Sequence, residues 1–147
     1  MLRKDVRRLS TAASGTADPA EIARFDALAE EWWKPDGAFK VIHAFNRVRV
    51  TQLCERLPVL LGRHPRAVRP LTGMRIIDVG CGAGLVTEPI SRLGAAVIGI
   101  DAAERNVLVA ARHARSTGAA VAYRHALPEE LADHAGAFYA VLSLEVV

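Results

Sequence analysis

Apolar positions along this chain change their period once, near residue 74. Before that point they recur at helical spacing. Ile22, Phe25, Leu28, Ala29 and Trp32 fall on one face of a helix. Asp18-Pro19 opens it: Asp18 is a capping residue, Pro19 suits the first helical position, and Glu21 completes a capping-box-like pattern. Pro35-Asp36-Gly37 supplies the turn that ends it. Val50, Leu53, Cys54, Leu57 and Leu61 repeat the spacing and predict a second helix over residues 46–61. Residues 62–70 contain two prolines and read as a basic loop.

From residue 74 onward, short apolar runs alternate with helical stretches. The pattern predicts strands at 74–79, 96–100, 120–124 and 138–144, with helices at 84–93 and 103–116. Pro89 falls inside the first of these helices, so that helix either bends there or starts later. Such alternation is the signature of an α/β fold. Right-handed crossovers then order the parallel sheet 3-2-1-4. Residues 1–17 read as a disordered tail, 18–70 as a helical cap and 71–147 as an α/β half-domain.

The first strand ends in chemistry. Asp78-Val79-Gly80-Cys81-Gly82-Ala83-Gly84 follows the run Met74 to Ile77, and Asp101 stands 21 residues after Gly80, at the end of the second strand. A strand, a glycine-rich turn, a helix, a strand and an acid make the front half of a nucleoside-binding unit. Glycines let backbone approach a ligand where a Cβ would clash. A carboxylate at the second strand's end can accept hydrogen bonds from the hydroxyls of a ribose. The expected crevice is lined by Gly80, Gly82, Asp101 and the end of strand four near Leu144 and Glu145.

Composition adds exclusions. The net charge is +3, and its basic clusters (Arg3, Lys4, Arg7, Arg8 and Arg63, Arg66, Arg69) are short and lack interleaved aromatics, which argues against a nucleic-acid surface. Two cysteines, Cys54 and Cys81, are too few for a disulfide framework and fit a reducing compartment. No apolar run approaches the ~20 residues of a membrane span. Cys81 lies between two glycines with no evident histidine partner, so it reads as loop packing rather than a nucleophile.

The glycine spacing separates two cofactor classes. Gly80, Gly82 and Gly84 form G-x-G-x-G, with Leu85 next, whereas dinucleotide sites prefer G-x-G-x-x-G/A. The whole unit resembles the S-adenosylmethionine site of class I methyltransferases. A nicotinamide site and a glycine turn without a ligand remain as alternatives. The preceding helices carry a narrower signal: Phe25, Leu28-Ala29, Trp32-Trp33, Gly37, Phe39-Lys40, His43, Asn46 and Arg49. This resembles the N-terminal signature of the ubiquinone biosynthesis O-methyltransferases. The resemblance continues through residues 78–84, Gly99-Ile100-Asp101, Asn106, Val121-Ala122-Tyr123 and Leu144-Glu145-Val146-Val147.

What the resemblance implies is a Rossmann-like fold and methyl transfer from S-adenosyl-L-methionine to catechol-type hydroxyls of polyprenylated phenols and quinols. It implies cofactor contacts from Arg49, Gly80, Gly82, Asp101 and Leu144, with Arg49 matched to the methionine carboxylate. It also implies a divalent-metal (Mg2+) site of which Glu145 alone falls within this chain. No catalytic residue is assigned. His43 reads as structural ahead of general base, and Trp32 and Trp33 as core ahead of substrate mouth. The family's later strands are expected beyond Val147. The expected setting is the cytoplasm, peripheral to the inner membrane within a quinone-synthesis complex, or else the mitochondrial matrix side. A methyltransferase of another acceptor and a non-catalytic cofactor-binding module are the competing readings. The chain departs from the family at Tyr139, where an acid is usual, and at Ala83, where glycine is frequent.

Overall fold

Asp18 starts the first helix through its own side chain. The computed structural model describes residues 17–144, and of 132–136 the backbone alone. Helix α1 spans Pro19–Ala27, with Asp18 in extended backbone accepting the Ala20 N–H at 2.9 Å. It ends well short of Trp32. The Leu28 N–H is shared between the carbonyls of Arg24 and Phe25, and the chain tightens into a 3₁₀ turn at Ala29–Glu31. A three-residue turn puts Ala29 and Trp32 on the same side, and both are buried.

Helix α2, Lys40–Leu60, begins six residues before its predicted start at 46. Phe39 heads it without a side-chain cap and is buried instead in an aromatic stack with Phe25 and Trp32. The first two turns leave Val41 and Phe45 exposed, so no apolar periodicity announces them. The later face behaves as read: Leu57 is buried, and Val50, Leu53, Cys54 and Leu61 pack beside it.

The sheet follows. Strand β1 is Arg75–Val79, α3 Thr87–Arg92, β2 Ala96–Asp101, α4 Glu104–Thr117, β3 Val121–His125 and β4 Ala140–Ser143. Helix α3 starts three residues later than predicted, which puts Pro89 in its first turn, where a missing N–H costs nothing. A 3₁₀ segment at Pro128–Ala137, unannounced in the sequence, fills the crossover from β3 to β4. Strand β4 begins two residues later than predicted. The Tyr139 N–H nevertheless already pairs with the Arg75 carbonyl at 2.8 Å, so the departure at Tyr139 leaves this backbone pairing in place.

All pairings are parallel and the order is β3-β2-β1-β4, as predicted. Register sets Val79 beside Ile100 and Ser143, bringing the carboxyl ends of β1, β2 and β4 to one edge. That edge is where an open parallel sheet binds ligands. Ile76, Val97 and Leu142 form the core with Leu57 of α2 and Ile90 of α3. A second cluster of Ala29, Trp32, Phe39, Ala83 and Val109 fastens the N-terminal helices to the glycine turn and α4.

Candidate functional site

The turn after β1 is pinned by backbone before any side chain acts. The N–H groups of Gly80 and Cys81 both donate to the Ile100 carbonyl, at 2.8 and 2.9 Å. The chain then passes through Gly82 and Gly84 with φ of +53° and +90°, a region that favours glycine. A Cβ on Gly82 would lie 2.9 Å from the Trp32 ring, and one on Gly84 would overlap the Tyr123 hydroxyl. These two glycines therefore answer to the protein's own aromatic side chains. The expectation that they make room for a ligand is corrected for Gly84, which Tyr123 closes off. Gly82 serves both ends, since it also lines the cleft.

Asp101 is held at three points. Its Oδ2 accepts the Gly82 N–H at 2.8 Å, and its Oδ1 accepts the Ala103 N–H at 2.9 Å and the Asn106 side-chain amide at 3.1 Å. Asn106 in turn accepts the Trp32 indole N–H at 2.8 Å. Trp33 donates its indole N–H to the Ala83 carbonyl at 3.1 Å and stacks on His113, with ring centroids 3.4 Å apart. The tryptophan pair thus clamps the cap onto the glycine turn and α4. The His43 ring nitrogen Nε2 lies 2.7 Å from the Trp32 carbonyl, a structural pairing.

A cleft opens at the strand ends. It brings together Arg49, Gly80, Gly82, Asp101 and Leu144, the five positions singled out in the sequence, and adds Asp78. Arg49 comes from α2, half-buried, with Nη1 donating to the Asn46 side-chain oxygen at 3.2 Å. Cys81 is buried, and burial with the nearby Asp101 and Asp78 pushes its thiol well above the usual range. It stays protonated, as loop packing requires. Glu145 lies outside the described residues. Among the described residues no cluster of three or more His, Cys, Asp or Glu side chains is placed to hold a metal ion.

Asp78, Asn106 and the closing role of Tyr123 went unassigned in the sequence. The signal for Asp78 was present as the first letter of D-x-G-x-G-x-G. Asn106 was marked only as one of the positions that carry the family resemblance, and no role came with it. Asp78 is 2 % exposed and receives the Thr87 hydroxyl at 2.7 Å. Burial, above all, raises its pKa from 3.8 to about 6, with Asp101 adding to the rise.

A carboxyl whose folded pKa is raised binds more protons folded than unfolded between those two values. Its contribution to stability therefore falls as pH rises from about 4 to 6, then levels. Asp78→Asn keeps an acceptor for Thr87 and removes the buried charge. Its expected effect is a gain of about 1–3 kcal/mol at pH 7.5 and loss of that slope, read from urea unfolding across pH. A slope unchanged in the variant would overturn the assignment to Asp78.

Comparison with known proteins gives one picture. A family model described as a methyltransferase domain matches residues 76–147. The ubiquinone biosynthesis O-methyltransferase of Rhizobium rhizogenes is 45% identical over 139 residues, covering 95% of this chain and 56% of that protein. The protein of the same name from Mesorhizobium japonicum is 48% identical over 90% of this chain and 53% of its own length. The chain therefore spans about half the length of the curated relatives it matches. Among solved structures, magnesium protoporphyrin IX methyltransferase from Synechocystis superposes with a TM-score of 0.61 at 22% identity, over 90% of this chain and 65% of that one. At that identity the likeness speaks to the fold.

Proposed function

We propose, from the premise that this chain belongs to the class I S-adenosylmethionine-dependent methyltransferases, that it is the cofactor-binding part of an O-methyltransferase of ubiquinone biosynthesis. The acceptors are catechol-type hydroxyls of polyprenylated phenols and quinols. On this reading residues 18–70 cap a cofactor half-domain formed by 71–147. The observation that carries it is the convergence of Arg49, Asp78, Gly80, Gly82, Asp101 and Leu144 on one cleft at the sheet's carboxyl edge.

The residues present fit S-adenosylmethionine. That cofactor supplies an activated methyl on a sulfonium, and this chain's groups match its other parts. Arg49 presents a guanidinium suited to a carboxylate. Asp78 presents a buried acid suited to an ammonium. Asp101 accepts hydrogen bonds from sugar hydroxyls, and Ile100 and Leu127 give the cleft apolar wall. What these residues do is bind and orient, which is the main catalytic need of an in-line methyl transfer. The chain's groups also exclude water from one wall of the cleft through Trp32 and Leu144.

Asp78 makes the binding pH-dependent. A cation seated beside it favours the ionised form, so affinity rises with pH through about 6 and then levels. Among the described residues no helix is long and apolar enough to cross a membrane. On this reading the prenyl tail of the acceptor, apolar enough to partition into a bilayer, brings it to the enzyme at a membrane surface, with quinone-synthesis partners as neighbours.

The test is calorimetric titration with S-adenosylhomocysteine, with NAD as control, at pH 5 and pH 7.5. Binding of the first alone, tighter at pH 7.5, is the expected result, followed by methylation assays on demethylated quinols with the full-length protein. NAD binding with equal affinity, or none by either in a folded protein, would sink the cofactor reading.

A further inference from the structure

We propose that Asn106 is a positioning residue that fixes the orientation of the Asp101 carboxylate toward the cleft. The inference rests on the cofactor reading above and extends it to a residue that stands behind the cleft's lining. Asn106 is 2 % exposed and stands in the first turn of α4. Its amide bridges two groups of opposite demand. An indole N–H can only donate and an ionised carboxylate can only accept. The amide oxygen must therefore face Trp32 and the amide nitrogen must face Asp101, and the distances are 2.8 and 3.1 Å. Any other orientation sets donor against donor or acceptor against acceptor, so Trp32 selects the amide's orientation and the amide selects the carboxylate's.

The consequence is a division of labour within one carboxylate. Each oxygen offers about two lone-pair sites. Those of Oδ1 are taken by the Ala103 N–H and Asn106, while among the described residues Oδ2 receives the Gly82 N–H alone. Oδ2 is left with acceptor capacity for a ligand hydroxyl. Without Asn106 the carboxylate keeps only the Gly82 and Ala103 N–H groups, one on each oxygen, so an acceptor site opens on Oδ1 and a ligand can be shared between both oxygens. The bridge also spans 74 residues, from Trp32 of the cap to α4, so seating of the cap and orientation of Asp101 are one event.

A purely structural Asn106 would weaken every ligand alike, whereas a positioning residue governs how strongly the ribose hydroxyls count. The experiment measures, by calorimetry on the full protein, the affinities for S-adenosylhomocysteine and for its 2′-deoxy and 3′-deoxy analogues. Wild type, Asn106→Ala and Trp32→Phe are compared, with thermal melting as the check on folding. Wild type is expected to bind at least one deoxy analogue about tenfold more weakly than the parent. In Asn106→Ala that ratio is expected to shrink to about threefold or less. Trp32→Phe keeps an aromatic ring for the stack, removes the donor that orients the amide, and moves the ratio the same way. It carries the test if Asn106→Ala fails to fold. Folded variants that bind less tightly but keep the wild-type ratio would overturn the inference. If wild type binds all three ligands equally, the ribose role of Asp101 itself fails. If wild type binds none of them, the cofactor reading fails, and the inference falls with it.

Discussion

Asp101→Ala raises the dissociation constant for S-adenosylhomocysteine by about 100-fold or more, enough to remove a measurable heat in titration. Two losses add. A charge-assisted hydrogen bond to a ribose disappears, worth about 1.5–3 kcal/mol. The Gly82 N–H, the Ala103 N–H and the Asn106 amide also lose their shared acceptor, so the turn and the start of α4 are no longer tied together. The second loss appears without ligand, as a fall in stability of about 2 kcal/mol. Asp101→Asn separates the two. It retains one acceptor oxygen but turns the other position into a donor facing an N–H or the Asn106 amide. It should lie between wild type and alanine in both measurements. A folded Asp101→Ala protein with wild-type affinity would remove Asp101 from the site.

Gly84→Ala is expected to cost about 3 kcal/mol of stability, in thermal or urea unfolding. Gly84 has φ +90°, where an L side chain is strained, and the new methyl would occupy the place of the Tyr123 hydroxyl. That hydroxyl is buried and makes no hydrogen bond of good geometry among the described residues, although the Thr87 hydroxyl lies near it. Its ionisation is pushed far up by burial. Tyr123→Phe therefore removes an unsatisfied group and is expected to be neutral or slightly stabilising. In the double variant the ring has one atom less at the point of overlap, so part of the Gly84→Ala cost returns, while the backbone strain, about 1–2 kcal/mol, stays. Additive effects in that double-mutant cycle would show that Tyr123 is not what closes the turn.

Strands β1 and β2, the strand order and the cleft's edge were legible because they rest on local signals: apolar runs, glycines and a right-handed crossover. Gly80, Gly82, Asp101 and the strand end near Leu144 were legible from the glycine turn and the strand order, Arg49 only through a family resemblance, and the fold places all five on one cleft. Element ends were less so. Helix α1 stops where Leu28 shares its N–H between two carbonyls, and α2 starts at a buried Phe39 that carries no capping atom. Neither event has a composition signature. The 3₁₀ segment Pro128–Ala137 has weak periodicity of its own. The links from Trp32 to Asn106 and from Gly84 to Tyr123 escaped for another reason. They join residues 74 and 39 positions apart, and only tertiary packing brings such residues together.

The docking of the N-terminal helices onto α4 has a consequence for synthesis on the ribosome. Trp32 awaits Asn106, Asp26 awaits the Arg105 N–H and Glu30 awaits Arg112, separations of 74, 79 and 82 residues. At ~5–20 residues per second the cap is made roughly 4–16 s before the surface it needs. For that interval Phe25, Trp32 and Phe39 have only one another to cover them, a nascent apolar cluster of the kind that holdase chaperones bind. Translation speed over residues 75–117 sets how long that exposure lasts, so synonymous codon changes there would alter the soluble yield of a protein whose amino-acid sequence is untouched.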